Sequence, residues 1–378
     1  MKKKICFIVA IPNTASSFLH DHISTLSEKY DIYLVGNIQE DQDVAMLNIK
    51  GWHKIDIRRS ISLWQDIKAL WQTWIYFRKM KFDAIHSITP KAGLVSAIAG
   101  KLAGVKHRTH IFTGQVWATK HGKFRILLKF IDRMIVTFDN HILVDGKSQR
   151  AFLIQEGILH EGQAEVFGKG SISGVNTTRF KPNRETREQI RKQIRIQENY
   201  LTYIFLGRLN KDKGISELFE AFNKLASEID NVFLLMVGKD EEGYINKLPN
   251  FVHIIEGKNF HYYGRTLEPE KVLNAGDVFV LPTHREGFGT SVLEAACIGL
   301  PCICSDAYGV LDSYVENETG LRCHVGDINS LYQCMRYLYE HPKEIKRMGQ
   351  NGRQRVLNDF NGTLLTSYWV DYYNTILN

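Results

Sequence analysis

Cysteine is scarce in this chain: six residues in 378, with no Cys-x-x-Cys pair. That excludes a disulfide scaffold, argues against a zinc knuckle and suits a reducing cytosol. No apolar run approaches the about 20 residues of a bilayer-spanning helix. The run from Ile5 to Ile11 follows Lys2-Lys3-Lys4, as in a signal peptide, but Pro12, Asn13 and Thr14 interrupt it. A buried first strand fits better. Nucleic-acid signatures are missing: no zinc-finger spacing, no basic zipper, no RNP aromatic motif. There is no internal repeat and no low-complexity tract. No G-x-G-x-x-G follows the first strand of either half, and Gly287-x-Gly289 continues as Thr290-Ser291-Val292. A dinucleotide-dependent Rossmann enzyme is therefore disfavoured. One Asp-x-Asp spacing exists, Asp41-Gln42-Asp43, among polar residues.

What is present is an ordinary globular composition, 44% hydrophobic and 24% charged, which excludes a disordered or fibrous chain. The length suits two or three domains of roughly 150 residues each. The net charge of +7 is unevenly spread, with 18 basic against 6 acidic residues in 51–150. Such asymmetry points to an anionic partner, and with no nucleic-acid motif an acidic membrane surface is the better fit. A solvated basic surface without a partner is the competing reading.

The segment 61–81 bears on that choice. Trp64, Ile67, Leu70, Trp71 and Trp74 recur at three- and four-residue spacing, and Arg78, Lys79 and Lys81 follow. The spacing predicts a helix with one apolar face. Tryptophans beside basic residues suit an interfacial helix, while a core-facing helix of an α/β domain explains the same pattern.

Short apolar runs alternate with helical patterns throughout. Strands are expected near 5–10, 32–35, 84–87, 109–112, 141–144 and 164–167, and then near 203–206, 233–237, 252–255, 278–281 and 302–305. Helices are expected at about 16–29, 61–80, 92–103, 122–137 and 147–156, then near 215–229, 290–299, 328–340 and 342–357. This order predicts two α/β halves, each a parallel sheet with right-handed crossovers. The first is expected over 1–168, a Gly- and Ser-rich linker over 169–182, and the second over 183–360. A last helix, 363–377, with Tyr368, Trp369, Tyr372 and Tyr373, is expected to pack back on the first. Ligands of such sheets bind at the carboxyl ends of the strands, so two sheets facing a cleft would each hold one substrate.

Two motifs fall at expected strand ends. Gly207-Arg208-Leu209 with Lys213-Gly214 places two cations before a helix, a pattern that suits a diphosphate. Glu286-Gly287-Phe288-Gly289-Thr290-Ser291 opens a second helix that carries Glu294. Its glycines allow close backbone approach, Thr290 and Ser291 are N-cap candidates, and a free helix N-terminus attracts phosphate.

Together these motifs resemble those of the retaining GT-B glycosyltransferases of family 4. That family carries a GRL…KG element and an EGFG…LEA element containing Glu-x7-Glu, here Glu286 and Glu294. Gly299-Leu300-Pro301, Asn317-Glu318-Thr319-Gly320-Leu321 and the stretch from Gly174 to Phe180 extend the likeness. In the first half, His110-Ile111-Phe112-Thr113-Gly114-Gln115-Val116-Trp117 is similar to a segment of bacterial capsule and O-antigen transferases. Two departures stand out. The first loop has Ser16 and Ser17 where many members have paired glycines, and Gly238-Lys239-Asp240-Glu241 replaces the usual GDGP.

The resemblance implies a GT-B fold and a cytoplasmic enzyme, peripheral on the inner face of the membrane. It would move a sugar from a nucleoside-diphosphate donor to a polyprenyl-diphosphate-linked saccharide in surface-polysaccharide synthesis. UDP and an N-acetylated amino sugar are the favoured donor parts. It also implies that Arg208, Lys213, Glu286 and His110 serve catalysis. Gly207, Gly287, Phe288, Gly289, Thr290, Ser291 and Glu294 would hold the donor, Glu294 through the ribose. Ser16 and Ser17 would offer N–H groups at a helix N-terminus on the acceptor side. With two cations and a helix dipole for the diphosphate, no metal or other cofactor is expected. A soluble or different lipid acceptor, or a silent sugar-nucleotide-binding protein, is the alternative.

Overall fold

The computed structural model describes residues 2–40, 44–58 and 62–378; Asp41-Gln42-Asp43 and Ile61 lie outside them. The chain divides into two units, Met1–Ser173 with Gly362–Asn378, and Gly174–Asn361.

Unit 1 is built on strands β1 (Lys4–Ile8), β2 (Asp31–Gly36), β3 (Gly51–Lys54), β4 (Ala84–Ile88), β5 (His107–Phe112), β6 (His141–Val144) and β7 (Ala164–Glu165). Its helices are α1 (Pro12–Phe18), α2 (His20–Lys29), α3 (Leu63–Met80), α4 (Pro90–Ala103), α5 (Gly122–Phe138) and α6 (Lys147–Gln155). Unit 2 holds α7 (Arg184–Gln193), β8 (Leu201–Leu206), α8 (Ile215–Glu228), β9 (Val232–Val237), β10 (Phe260–Gly264), α9 (Pro269–Leu273), β11 (Val278–Leu281), α10 (Thr290–Ile298), β12 (Cys302–Ser305), β13 (Gly320–Cys323), α11 (Ile328–Glu340) and α12 (Pro342–Asp359). The last helix, α13 (Gly362–Leu377), returns to unit 1.

The sheet orders are β3-β2-β1-β4-β5-β6-β7 and β10-β9-β8-β11-β12-β13. Every pairing is parallel. Parallel strands are covered on both faces, which is why β9, Val-Phe-Leu-Leu-Met-Val, is apolar at every position and wholly buried. In both sheets the order reverses beside the first strand, between β1 and β4 and between β8 and β11. Such reversals open a crevice at the strands' carboxyl ends.

α13 is held in unit 1 by specific bonds as well as burial. Trp369 and Tyr373 are fully buried, and Trp369 stacks between His22 and His86 at 5.0 and 4.9 Å. Thr366 Oγ1 lies 2.9 Å from His22 Nδ1, Tyr373 Oη 2.8 Å from His86 Nδ1, and Tyr372 Oη 2.7 Å from Thr109 Oγ1. Burial pushes His22 down to about 4, so it serves as a neutral hydrogen-bonding ring.

Three readings need correction. The strand expected at 252–255 is a turn, and β10 follows it instead. Asn259 accepts from Ile255 N at 2.9 Å and donates to His253 O at 2.8 Å, so these backbone groups are satisfied without a ladder. The single helix expected at 16–29 is two, α1 and α2, meeting at Leu19. β3 and β13, both short and at sheet edges, were not anticipated.

The apolar positions of α3 divide between two fates. Leu70, Trp74, Tyr76 and Phe77 pack into the core with Ile85 and Val105. Trp64, Ile67, Trp71 and Ile75 point outward, with Trp64 85% and Trp71 59% exposed. Among the described residues, no helix is long and apolar enough to cross a membrane.

Candidate active site

Both sequence motifs of unit 2 lie at the order reversal, one after β8 and one after β11. Gly214 makes their contact possible. Its φ is +68°, and a Cβ there would lie 2.1 Å from Pro282 O, so only glycine lets the loops touch. Ion pairs of alternating sign then tie them. Asp212 Oδ2 takes Arg285 Nη2 at 2.6 Å, Lys213 Nζ pairs with Glu286 Oε1, and Glu217 Oε1 meets His284 Nε2 at 2.7 Å. The carbonyl of Asp212 also accepts His284 N at 2.7 Å and Thr283 Oγ1 at 2.8 Å. The Glu217 bond raises His284 above its ordinary value against the pull of burial.

Arg208 is half exposed, and its Nη1 lies 3.1 Å from Glu241 Oε2. Asn210 Nδ2 donates to the same oxygen at 2.9 Å. Burial would raise Glu241, but Asn210 and Arg208 together bring it below the usual carboxylate range.

The N-terminus of α10 is capped by Gly289, at φ +84° and with no side-chain cap bond. Thr290 and Ser291 are the first two helical residues rather than caps, so the Gly289 turn presents the backbone N–H groups. Phe288 also differs from its expected role. Its side chain is buried and packs on Phe360 at 5.5 Å, so it anchors the loop. Glu294 follows one turn into α10. Burial raises it to about 7, partly opposed by Arg179, while Glu270 adds to the rise. Arg179 itself is bonded to Glu270 at 2.7 Å.

In unit 1 the expected residues sit on two elements, α1 and β5. Ser16 and Ser17 lie in the last turn of α1, which begins at Pro12. Their N–H groups therefore belong to the helix interior and not to its open end. His110 on β5 is fully buried, with Nδ1 2.8 Å from Ser87 Oγ of β4. Burial lowers its pKa to about 3, and its ring lies against Gly93 of α4, where a Cβ would come 2.5 Å from Cε1. That seat leaves the imidazole neutral, with Nε2 buried and without a hydrogen-bond partner among the described residues. Polar groups gather instead around the following loop. Gln149 donates to Thr113 O at 2.6 Å and accepts Asp145 N at 2.7 Å. Trp117 Nε1 donates to buried Asp132 at 2.7 Å, whose carboxyl burial raises to about 7.

Sequence reasoning singled out Arg208, Lys213, Glu286 and Glu294; the structure adds the contacts Asp212–Arg285, Glu217–His284 and Arg208–Glu241. The available signal was the sign alternation itself: Asp212-Lys213 facing Arg285-Glu286.

Residues 186–355 match the family described as glycosyl transferases group 1. The chain is 27% identical to the capsular polysaccharide biosynthesis glycosyltransferase CapM of Staphylococcus aureus, across 100% of this chain and 98% of that protein. It is 27% identical to the UDP-Gal:alpha-D-GlcNAc-diphosphoundecaprenol alpha-1,3-galactosyltransferase of Escherichia coli, across 89% and 86%. Among solved structures, Anabaena HepE in complex with UDP and glucose superposes with a TM-score of 0.82 at 16% identity, over 99% of this chain and 100% of that one. Fold, motifs and relatives together identify a glycosyltransferase of GT-B fold, in which residues 186–355 match the group 1 family.

Proposed function

We propose that the protein transfers a sugar, with retention, from a UDP-sugar to a polyprenyl-diphosphate-linked saccharide in bacterial surface-polysaccharide synthesis. An N-acetylated amino sugar is the favoured donor sugar. The observation that carries the donor half is the convergence of Arg208, Lys213 and the α10 N-terminus at the β8/β11 reversal. The hard part of the reaction is charge: UDP leaves as an anion while the sugar carbon becomes oxocarbenium-like. Preorganised cations and N–H groups stabilise that leaving group, each about 100-fold in rate. Glu286, steadied by Lys213, would take donor hydroxyls, and Glu294 the ribose. Attack on the face of departure asks no carboxylate to act as nucleophile. The proposed site supplies its own positive charge, so the reaction is proposed to be metal-independent.

The acceptor half rests on the relatives and on unit 1. The E. coli relative acts on a diphosphoundecaprenol-linked sugar, and such a carrier stays in its bilayer, so the enzyme would go to it. α4 packs between α3 and α5. α3 exposes Trp64, Ile67, Trp71 and Ile75, while α5 exposes Phe124, Ile126, Leu127 and Phe130. Exposed Lys68, Arg78, Lys79, Lys120 and Lys123 lie on or beside these helices. Apolar side chains among cations suit an anionic bilayer surface.

The test begins with a thermal-shift panel of nucleotide sugars, in which a true donor at 100 times its Kd stabilises by about 2.7 kcal/mol. Transfer to a polyprenyl-diphosphate saccharide is then measured with and without chelator. Stabilisation by no nucleotide sugar would refute the donor reading. Activity lost to chelator and restored by manganese would refute metal independence.

A further inference from the structure

We infer that Glu241 is the positioning residue of Arg208. The inference rests on the reading of Arg208 as a ligand of the donor diphosphate. Glu241 stands in the loop after β9, away from both sequence motifs, yet that loop is laced to the Arg208 loop. Leu209 N donates to Lys239 O at 2.8 Å, and Glu241 N donates to Leu209 O at 3.0 Å. Gly238, at φ +138°, allows the approach, because a Cβ there would lie 1.8 Å from Gly207 O. Asp240 locks the far side by accepting Tyr244 N and Ile245 N, each at 3.0 Å. The Glu241 carboxylate thus has a fixed origin.

Its oxygens have two donors, Arg208 Nη1 and Asn210 Nδ2. Asn210 is 8% exposed, so it anchors the carboxylate from the protein side while Arg208 meets it from the solvent side. Among the described residues, Nη1 is the guanidinium nitrogen of Arg208 with a protein acceptor. Nε and Nη2 are left for the forked, bidentate contact that a phosphate prefers. An unheld arginine of this exposure would sample many rotamers, and binding would have to freeze them. A carboxylate also repels the diphosphate, so the balance between orientation and repulsion gives the inference a sign that can be measured.

The experiment is a double-mutant cycle read by UDP titration calorimetry on the full chain, with melting temperatures recorded for each variant. Glu241→Leu is expected to weaken UDP about tenfold without lowering the melting temperature. Glu241→Gln keeps an acceptor oxygen for Asn210 and Arg208 and should recover most of that loss. In the Arg208→Ala background, Glu241→Leu should change the Kd by less than about twofold, since its effect passes through the guanidinium. Tighter or unchanged UDP binding in Glu241→Leu overturns the inference. So does a full loss repeated in the Arg208→Ala background, which would mark a structural role. Wild-type UDP affinity in Arg208→Ala alone would instead remove Arg208 from the donor site, and the inference with it. Should Glu241→Leu fail to fold, the same cycle with Glu241→Ala decides.

Discussion

Trp71 and Trp74 are three residues apart on one helix and should fail in opposite ways. A tryptophan presents about 250 Å². At 85% and 59% exposure, Trp64 and Trp71 together leave about 360 Å² in water. If half of that enters the headgroup layer, at about 25 cal/mol per Å² the gain is about 4.5 kcal/mol, an upper bound because the indole N–H stays polar. The double substitution Trp64→Ser, Trp71→Ser should therefore weaken partitioning onto anionic vesicles by up to about 2,000-fold, with a melting temperature equal to or above wild type. Trp74→Ala should do the reverse. Its ring packs in the core, with Arg78 5.6 Å above it, so its loss costs about 2 kcal/mol of stability and little vesicle binding. Co-sedimentation with anionic and neutral vesicles, at low and high salt, reads both effects. Binding to anionic vesicles should fall with salt, because each nearby cation contributes about 1 kcal/mol that is screened within a Debye length. Equal wild-type binding to neutral vesicles, or wild-type behaviour of the double variant, refutes the docking reasoning.

Other consequences follow from single contacts. Lys213→Ala and Glu286→Ala should each lower turnover about 100-fold with the folding transition intact; near-normal turnover in either removes that residue from the reaction. Glu294 has a folded pKa near 7, above the ordinary carboxylate range, so its contribution to stability falls as pH rises toward 7 and then levels off. Glu294→Gln should therefore gain melting temperature relative to wild type above pH 7 but not near pH 4, and a constant difference would contradict this. Trp117→Phe leaves buried Asp132 without its indole donor. It should cost about 2 kcal/mol, and more above pH 7, where Asp132 ionises; denaturant titrations at two pH values check both the size and the trend.

The strands that sequence alone located are the ones in which apolar character runs unbroken, such as β8 and β9. Edge strands β3 (Gly-Trp-His-Lys) and β13 (Gly-Leu-Arg-Cys) lack that signal because glycine and polar or charged residues break the apolar run. At 252–255 the apolar pattern was real but misleading, since one asparagine closed the turn locally. Arg208, Lys213, Glu286 and Glu294 were legible because they stand at fixed offsets from glycines in motif loops. Glu241 was not, because its partner lies 33 residues away and only the nesting of two loops joins them. The burial of His110 was hidden for a related reason. A histidine inside a strand shows nothing of its surroundings in sequence; its side-chain direction and the seat made by Gly93 decide burial, and neither leaves a periodic trace. The α3 tryptophans show the same limit: their spacing marks an apolar helix, but the stripe wraps far enough to serve two surroundings.

The placement of α13 also sets an order of events during synthesis. Unit 2 is one continuous stretch, whereas unit 1 is completed by a segment encoded after it. Domains usually form in the order in which they leave the ribosome. Here the first sheet to emerge must wait for Trp369 and Tyr373, with the faces of Phe7 and His86 bare, while the later unit already has all its residues. The nascent chain therefore carries an open aromatic seat through most of its translation, and unit 1 is expected to be the last half to become protease-resistant, as limited proteolysis of stalled nascent chains would show.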